Sequence, residues 1–186
     1  MKPIYIILTK SRSLPSRLIA FCTGDRYTHA ALAFDDDFAS LYSFARRYAS
    51  LPLPAGLVEE HLDRGFYRTQ RGIPCEILRV MVPEQVYYAA KYRVRDMLCR
   101  AEDYRYSVLG LILCRLGIPA DRRDRYFCSQ FVAQVLSDAG ALRLPKPPSL
   151  MRPADFADPG LFPWGRIECV FSGRLDSLRA ELRRTA

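Results

Sequence analysis

The chain has 186 residues, enough for one domain with a substantial core, and is 49% hydrophobic and 26% charged. Its net charge of +8 is mostly arginine, spread along the chain as Arg46-Arg47, Arg93 and Arg95, Arg122-Arg123 and Arg183-Arg184. No nucleic-acid motif accompanies that charge, so nucleic acid is not an expected partner, whereas peripheral contact with an anionic membrane is compatible with it.

Pro3 to Leu8 reads as a first strand. Ser13-Leu14-Pro15-Ser16 opens a short helix that Gly24 ends. Tyr27 to Phe34 reads as a second strand and carries His29, one of only two histidines. Asp35-Asp36-Asp37 follows. It lacks the alternating ligands and glycine of a calcium loop and reads as a solvated hairpin turn. Ser40 to Arg46 is the returning strand. Pairing Phe34 with Ser40 sets Ala31 opposite Ser43, so His29 and Ser43 project from one face as diagonal neighbours. A slip of one residue would put Tyr42 there instead.

Tyr48 to Gly72, with two prolines and two glycines inside its span, reads as a loop with little regular structure. It carries His61 as a surface residue. Pro74 to Val82 is the next strand, and Pro83 starts a helix running to about Asp103. Val108 to Leu113 is apolar, and core packing is the expected use of it, with a lipid site the lesser alternative.

From Ser129 the chain again reads as a helix. Phe131, Val132, Val135 and Leu136 share one face, Gln130, Gln134 and Asp138 fall outside it, and Gly140 supplies the stop. Cys128 therefore sits at the first turn, among free backbone N–H groups and the positive end of the macrodipole. Such a place favours an anion and suits a nucleophile. Prolines 145, 147, 148 and 153 make the next stretch extended, with a turn of helix from Pro153 to Phe156. Arg166 to Phe171 is a last strand, and Leu175 to Ala186 is an arginine-rich tail.

The six cysteines are Cys22, Cys75, Cys99, Cys114, Cys128 and Cys169; none forms a C-x-x-C pair, which argues against zinc. The apolar run after Met1 is short for a signal peptide, and Val108 to Cys114 is too short to span a bilayer. A soluble cytoplasmic protein is the expectation.

A small residue and histidine opening a strand (Thr28-His29-Ala30-Ala31-Leu32), followed much later by Phe127-Cys128-Ser129-Gln130-Phe131-Val132 on a helix, resembles the circularly permuted branch of the NlpC-type papain-like superfamily. That branch includes YiiX-like proteins and relatives of lecithin–retinol acyltransferase. The resemblance covers roughly Lys2 to Gly173, within one domain of 186 residues. It implies an α+β fold, an antiparallel sheet or small barrel packed against the cysteine helix. It also implies a cysteine hydrolase acting on amide, peptide or acyl bonds through a thioester, with Cys128 as nucleophile, His29 as base and no cofactor. Ser43 stands where the family places the group that orients the imidazole. Tyr27 and Gln130 are the candidate substrate-binding donors. A lipid acyltransferase or phospholipase acting on an acyl lipid, and a non-catalytic ligand-binding protein, are the alternatives.

Overall fold

A computed structural model describes residues 1–10, 25–46, 55–162 and 167–185. The helix expected from Ser13 to Gly24, and Cys22 with it, lies outside them.

Eight strands and five α-helices are present among the described residues. Strand β1 (Lys2–Thr9) is central and fully buried from Ile4 to Thr9. It pairs antiparallel with β2 (His29–Ala33) on one side and β5 (Pro74–Val82) on the other. Strands β3 (Leu41–Arg46) and β4 (Ala55–Glu60) extend the sheet beyond β2, and β8 (Ile167–Arg174) extends it beyond β5. The order is β4-β3-β2-β1-β5-β8, every pairing is antiparallel, and the sheet is open rather than a closed barrel. The fold is mixed α+β.

The β2–β3 hairpin has the register read from the sequence. Leu32 lies opposite Tyr42, which sets Ala31 opposite Ser43. Phe38 has φ 51°, a left-handed conformation that turns the chain between the two strands.

The segment from Tyr48 to Gly72 differs from its expected loop. Its described part holds β4 and the short helix α1 (Gly65–Thr69). One of the glycines that suggested a loop, Gly56, lies within a strand only six residues long, whose buried positions are Gly56 and Leu57. Pairing with β3 overrides that weak local preference.

Helix α2 (Glu84–Cys99) ends a turn earlier than expected and buries Tyr87, Ala90, Val94 and Met97. Its last residue, Cys99, is exposed. Two-residue strands β6 (Arg105–Tyr106) and β7 (Arg125–Tyr126) pair in parallel, joined by helix α3 (Val108–Arg115). Helix α4 (Cys128–Asp138) is the cysteine helix. Gly140, at φ 74°, closes it: the Gly140 N–H reaches Ser137 O at 3.0 Å and the Ala141 N–H reaches Leu136 O at 2.8 Å.

Alternation along the strands makes two cores. On one face Ile4, Ile6, Leu8, Ala30, Leu32 and Phe44 pack with Phe131, Val132 and Val135 of α4. Phe44 lies 5.3 Å from Phe131, centroid to centroid. On the other face Ile7, Ala31, Ala33, Leu41, Tyr67 and Ile77 pack with Leu175 and Leu178 of helix α5 (Leu175–Thr185). The arginine-rich C-terminal segment is thus part of the fold. Arg179 donates to the carbonyls of Leu62 and Tyr67 and ties α5 to the chain around α1.

Candidate active site

His29 opens β2 opposite Thr9, the last residue of β1. Strand alternation assigns it to the face of Ala31 and Ala33, away from the core of α4. Being the end residue of its strand, it lies close enough to the start of α4 for Cys128 to act on its imidazole. Both groups are nearly enclosed: Cys128 is 5% exposed and His29 9%.

Two links hold these elements together. The Ser129 hydroxyl, one residue along from Cys128, donates to Met151 O at 2.7 Å. The Arg152 guanidinium then bridges Asp155 and Asp25, at 3.2 Å to each. Asp155 is buried and also takes Lys146 at 2.7 Å. The chain leading into His29 is thereby fastened to the chain leaving α4.

The imidazole lies between two groups. His29 Nε2 is 2.9 Å from Glu60 Oε2, leaving Nδ1 as the nitrogen for the thiol. Glu60 is the residue that the sequence reading missed. It ends β4 opposite Leu41, two positions beyond Val58, the partner of Ser43. Diagonal steps across β2, β3 and β4 thus bring His29, Ser43 and Glu60 together. Ser43 is fully buried and donates its hydroxyl to Glu60 Oε2, the same oxygen that meets the ring. The group on the imidazole is therefore Glu60, and Ser43 supports Glu60 rather than holding the ring itself. The available signal was the short apolar run Gly56-Leu57-Val58 ahead of the two acids.

Burial works against a charged His29. The Glu60 carboxylate and the hydrogen bonds to Cys128 and Glu60 outweigh it, and the imidazole is pushed up to about 10. The Tyr67 ring, 6.4 Å from that of His29, covers the site on the α5 side.

The backbone at the start of α4 is open. Phe127 is the N-cap residue, and its side chain makes no cap hydrogen bond. The first N–H groups face a cleft whose walls include Tyr27, Thr28, Tyr106, Leu111 and Arg152 as well as Cys128.

Tyr27 lines this cleft, but its hydroxyl donates to Glu76 Oε2 at 2.5 Å and is not available to a substrate. Gln130, expected outside the apolar face of its helix, is only 1% exposed, and its Oε1 has no hydrogen-bond partner among the described residues. Thr28 Oγ1 is likewise buried without a partner among the described residues, and Thr28 lines the cleft. Thr28, not Tyr27, therefore has the uncommitted hydroxyl on that wall. His61 lies just past β4, half-buried, and its Nδ1 meets the carbonyl of Ala39; it takes no part in the cluster.

Ser43→Ala removes the hydroxyl donated to Glu60 and leaves the carboxylate on the imidazole. It should cost about 1.5–3 kcal/mol of stability, the range for a hydrogen bond to a charged group. Any Cys128-dependent turnover should fall by about tenfold at most. Denaturation curves and ester hydrolysis measured side by side check this. A loss equal to that of Cys128→Ala would mean that Ser43 acts on the reacting groups directly.

No protein-family model matches the chain, and no curated protein matches it.

Proposed function

We propose that the protein is a cysteine hydrolase with a circularly permuted papain-like fold of the NlpC type, cleaving an amide, peptide or acyl bond. The observation that carries this reading is the His29 ring held between Cys128, at the uncapped start of a buried helix, and the Glu60 carboxylate. The order of the elements, histidine strand before cysteine helix, supports the permuted form.

In this reading the thiol proton of Cys128 already rests on His29, whose imidazole Glu60 keeps protonated at neutral pH, and Sγ bonds to the carbonyl carbon of the substrate. The oxyanion forms beside the backbone N–H of Cys128 at the positive end of α4. His29 returns the proton to the leaving amine or alkoxide as the bond to carbon breaks, which leaves a thioester on Cys128. Water then attacks the thioester, losing a proton to His29. The acid departs and the Cys128–His29 pair returns to its starting state. Glu60 holds the ring and balances its charge throughout. The same chemistry on a lipid ester, as phospholipase or acyltransferase, is the second reading. The apolar outer face of α3 beside the cleft favours it.

The test is selective alkylation. Burial pushes the Cys75 thiol up to about 12 and raises those of Cys114 and Cys169. Cys99 is exposed but ends its helix, the end that disfavours an anion. Iodoacetamide at mildly acidic pH, read by peptide mass, should therefore modify Cys128 first, and His29→Ala should slow that modification. Preferential labelling of another cysteine in the folded protein, or indifference of Cys128 to His29→Ala, would sink the reading.

A further inference from the structure

Helix α3 carries its apolar residues on the wrong side for a core helix. Val108 is 56% exposed, Leu109 48%, Ile112 53% and Leu116, just past the helix, 66%. Gly110 and Cys114 are the buried positions. Leu116 and Ile112 lie one turn apart, as do Ile112 and Val108, so these side chains form one continuous stripe. The turn that follows prolongs it. Gly117, at φ 72°, directs its N–H to Cys114 O at 3.1 Å, and the Ile118 N–H reaches Leu113 O at 2.9 Å. That closure normally buries the residue after the glycine against the helix, yet Ile118 is 49% exposed. An apolar stripe left in water across a helix and its cap marks a contact surface.

The charge around the stripe says what it contacts. From Arg105 to Arg125 there are five arginines and two aspartates, with no lysine or glutamate. The parallel pairing of β6 with β7 folds this segment back on itself, so Arg105 and Arg125 sit together at the start of α3. Arg105, Arg115, Arg122 and Arg123 are all exposed. Apolar side chains bordered by arginine suit a surface with anionic headgroups over hydrocarbon. The other side of α3 supplies Leu111, Cys114 and Arg115 to the cleft of Cys128.

We propose that α3 and its C-terminal turn dock the protein on an anionic lipid bilayer, with the mouth of the Cys128 cleft beside the bilayer surface. The docking surface stands on α3 alone and does not require that Cys128 react. No helix among the described residues is long and apolar enough to cross a membrane, so the contact is peripheral.

The experiment is co-sedimentation of the full chain with vesicles of phosphatidylcholine, with and without phosphatidylserine. Binding is expected to the phosphatidylserine vesicles and to weaken as salt is raised. Ile112→Glu with Leu116→Glu should lower that binding by at least about tenfold, since each change takes an apolar group out of the headgroup boundary and adds repulsion. Arg122→Glu with Arg123→Glu, at exposed positions, should do the same. Cys128 alkylation is followed in every variant, so failure of docking is read separately from failure of the thiol chemistry. The proposal is overturned if the unaltered protein ignores phosphatidylserine vesicles at low salt, or if both double variants bind as well as it does. It is also overturned if the protein is a dimer that Ile112→Glu dissociates, because a second copy would then cover α3.

Discussion

Cys128→Ala is expected to abolish hydrolysis of an activated acyl ester, such as a p-nitrophenyl ester, with turnover falling by about 10⁴-fold. The reason is chemical. In the proposed reaction the thioester is the intermediate, and alanine cannot form one. His29 and Glu60 alone could only assist water, without the proximity that a covalent step provides. The fold should survive, because the change removes one sulfur atom from the end of α4 while Phe131, Val132 and Val135 keep their packing. A stability change of about 1 kcal/mol is expected, comparable to deleting one buried methylene. Ester hydrolysis and urea denaturation on the same preparations provide the check. Turnover within about tenfold of the unaltered protein, from a variant that remains folded, would remove Cys128 from the reaction.

Glu60→Gln should have the second-largest effect, and its signature is a pH profile. The His29 imidazole in the folded protein is raised from the ordinary 6.5 to about 10, with the Glu60 charge the largest of the influences that raise it. A group whose folded value lies above its unfolded value binds more protons in the folded state between the two. The stabilisation it contributes is complete below about 6.5 and is lost as the pH rises through about 10. Glutamine retains an oxygen that can meet Nε2 but removes the charge, so burial then works against the protonated ring. At neutral pH the variant should be less stable by about 3 kcal/mol, the lower end of the cost of breaking a buried pair, because the ring can relax by shedding its proton. The stability difference between the two proteins should shrink as the pH rises from 7 towards 10. Alkylation of Cys128 at mildly acidic pH should slow by roughly 10²-fold, since a neutral imidazole no longer assists the thiolate. Parallel stability curves for the two proteins across that range would show that Glu60 does not hold a proton on His29.

Of the pieces that build this site, those governed by neighbours in the chain were readable from residues alone. The start of α4, read from Ser129 and found one residue earlier at Cys128, and its end at Gly140 follow from apolar spacing and from the left-handed conformation that glycine allows. The register that places Ser43 diagonal to His29 follows from a short turn and from strand alternation. Tertiary structure decided the rest. Glu60 became the partner of His29 because β4 adds to β3 across a proline- and glycine-rich stretch, and a six-residue strand there draws its stability from pairing rather than propensity. The Tyr27 hydroxyl went to Glu76 because strands distant in sequence converge around the ring, and a buried hydroxyl takes the acceptor within reach. The apolar residues of α3 looked like core and are exposed, while Gln130 looked like surface and is buried. Periodicity shows that a helix has an apolar face; only the elements packed beside it determine which face is covered, and burial is a property of those neighbours.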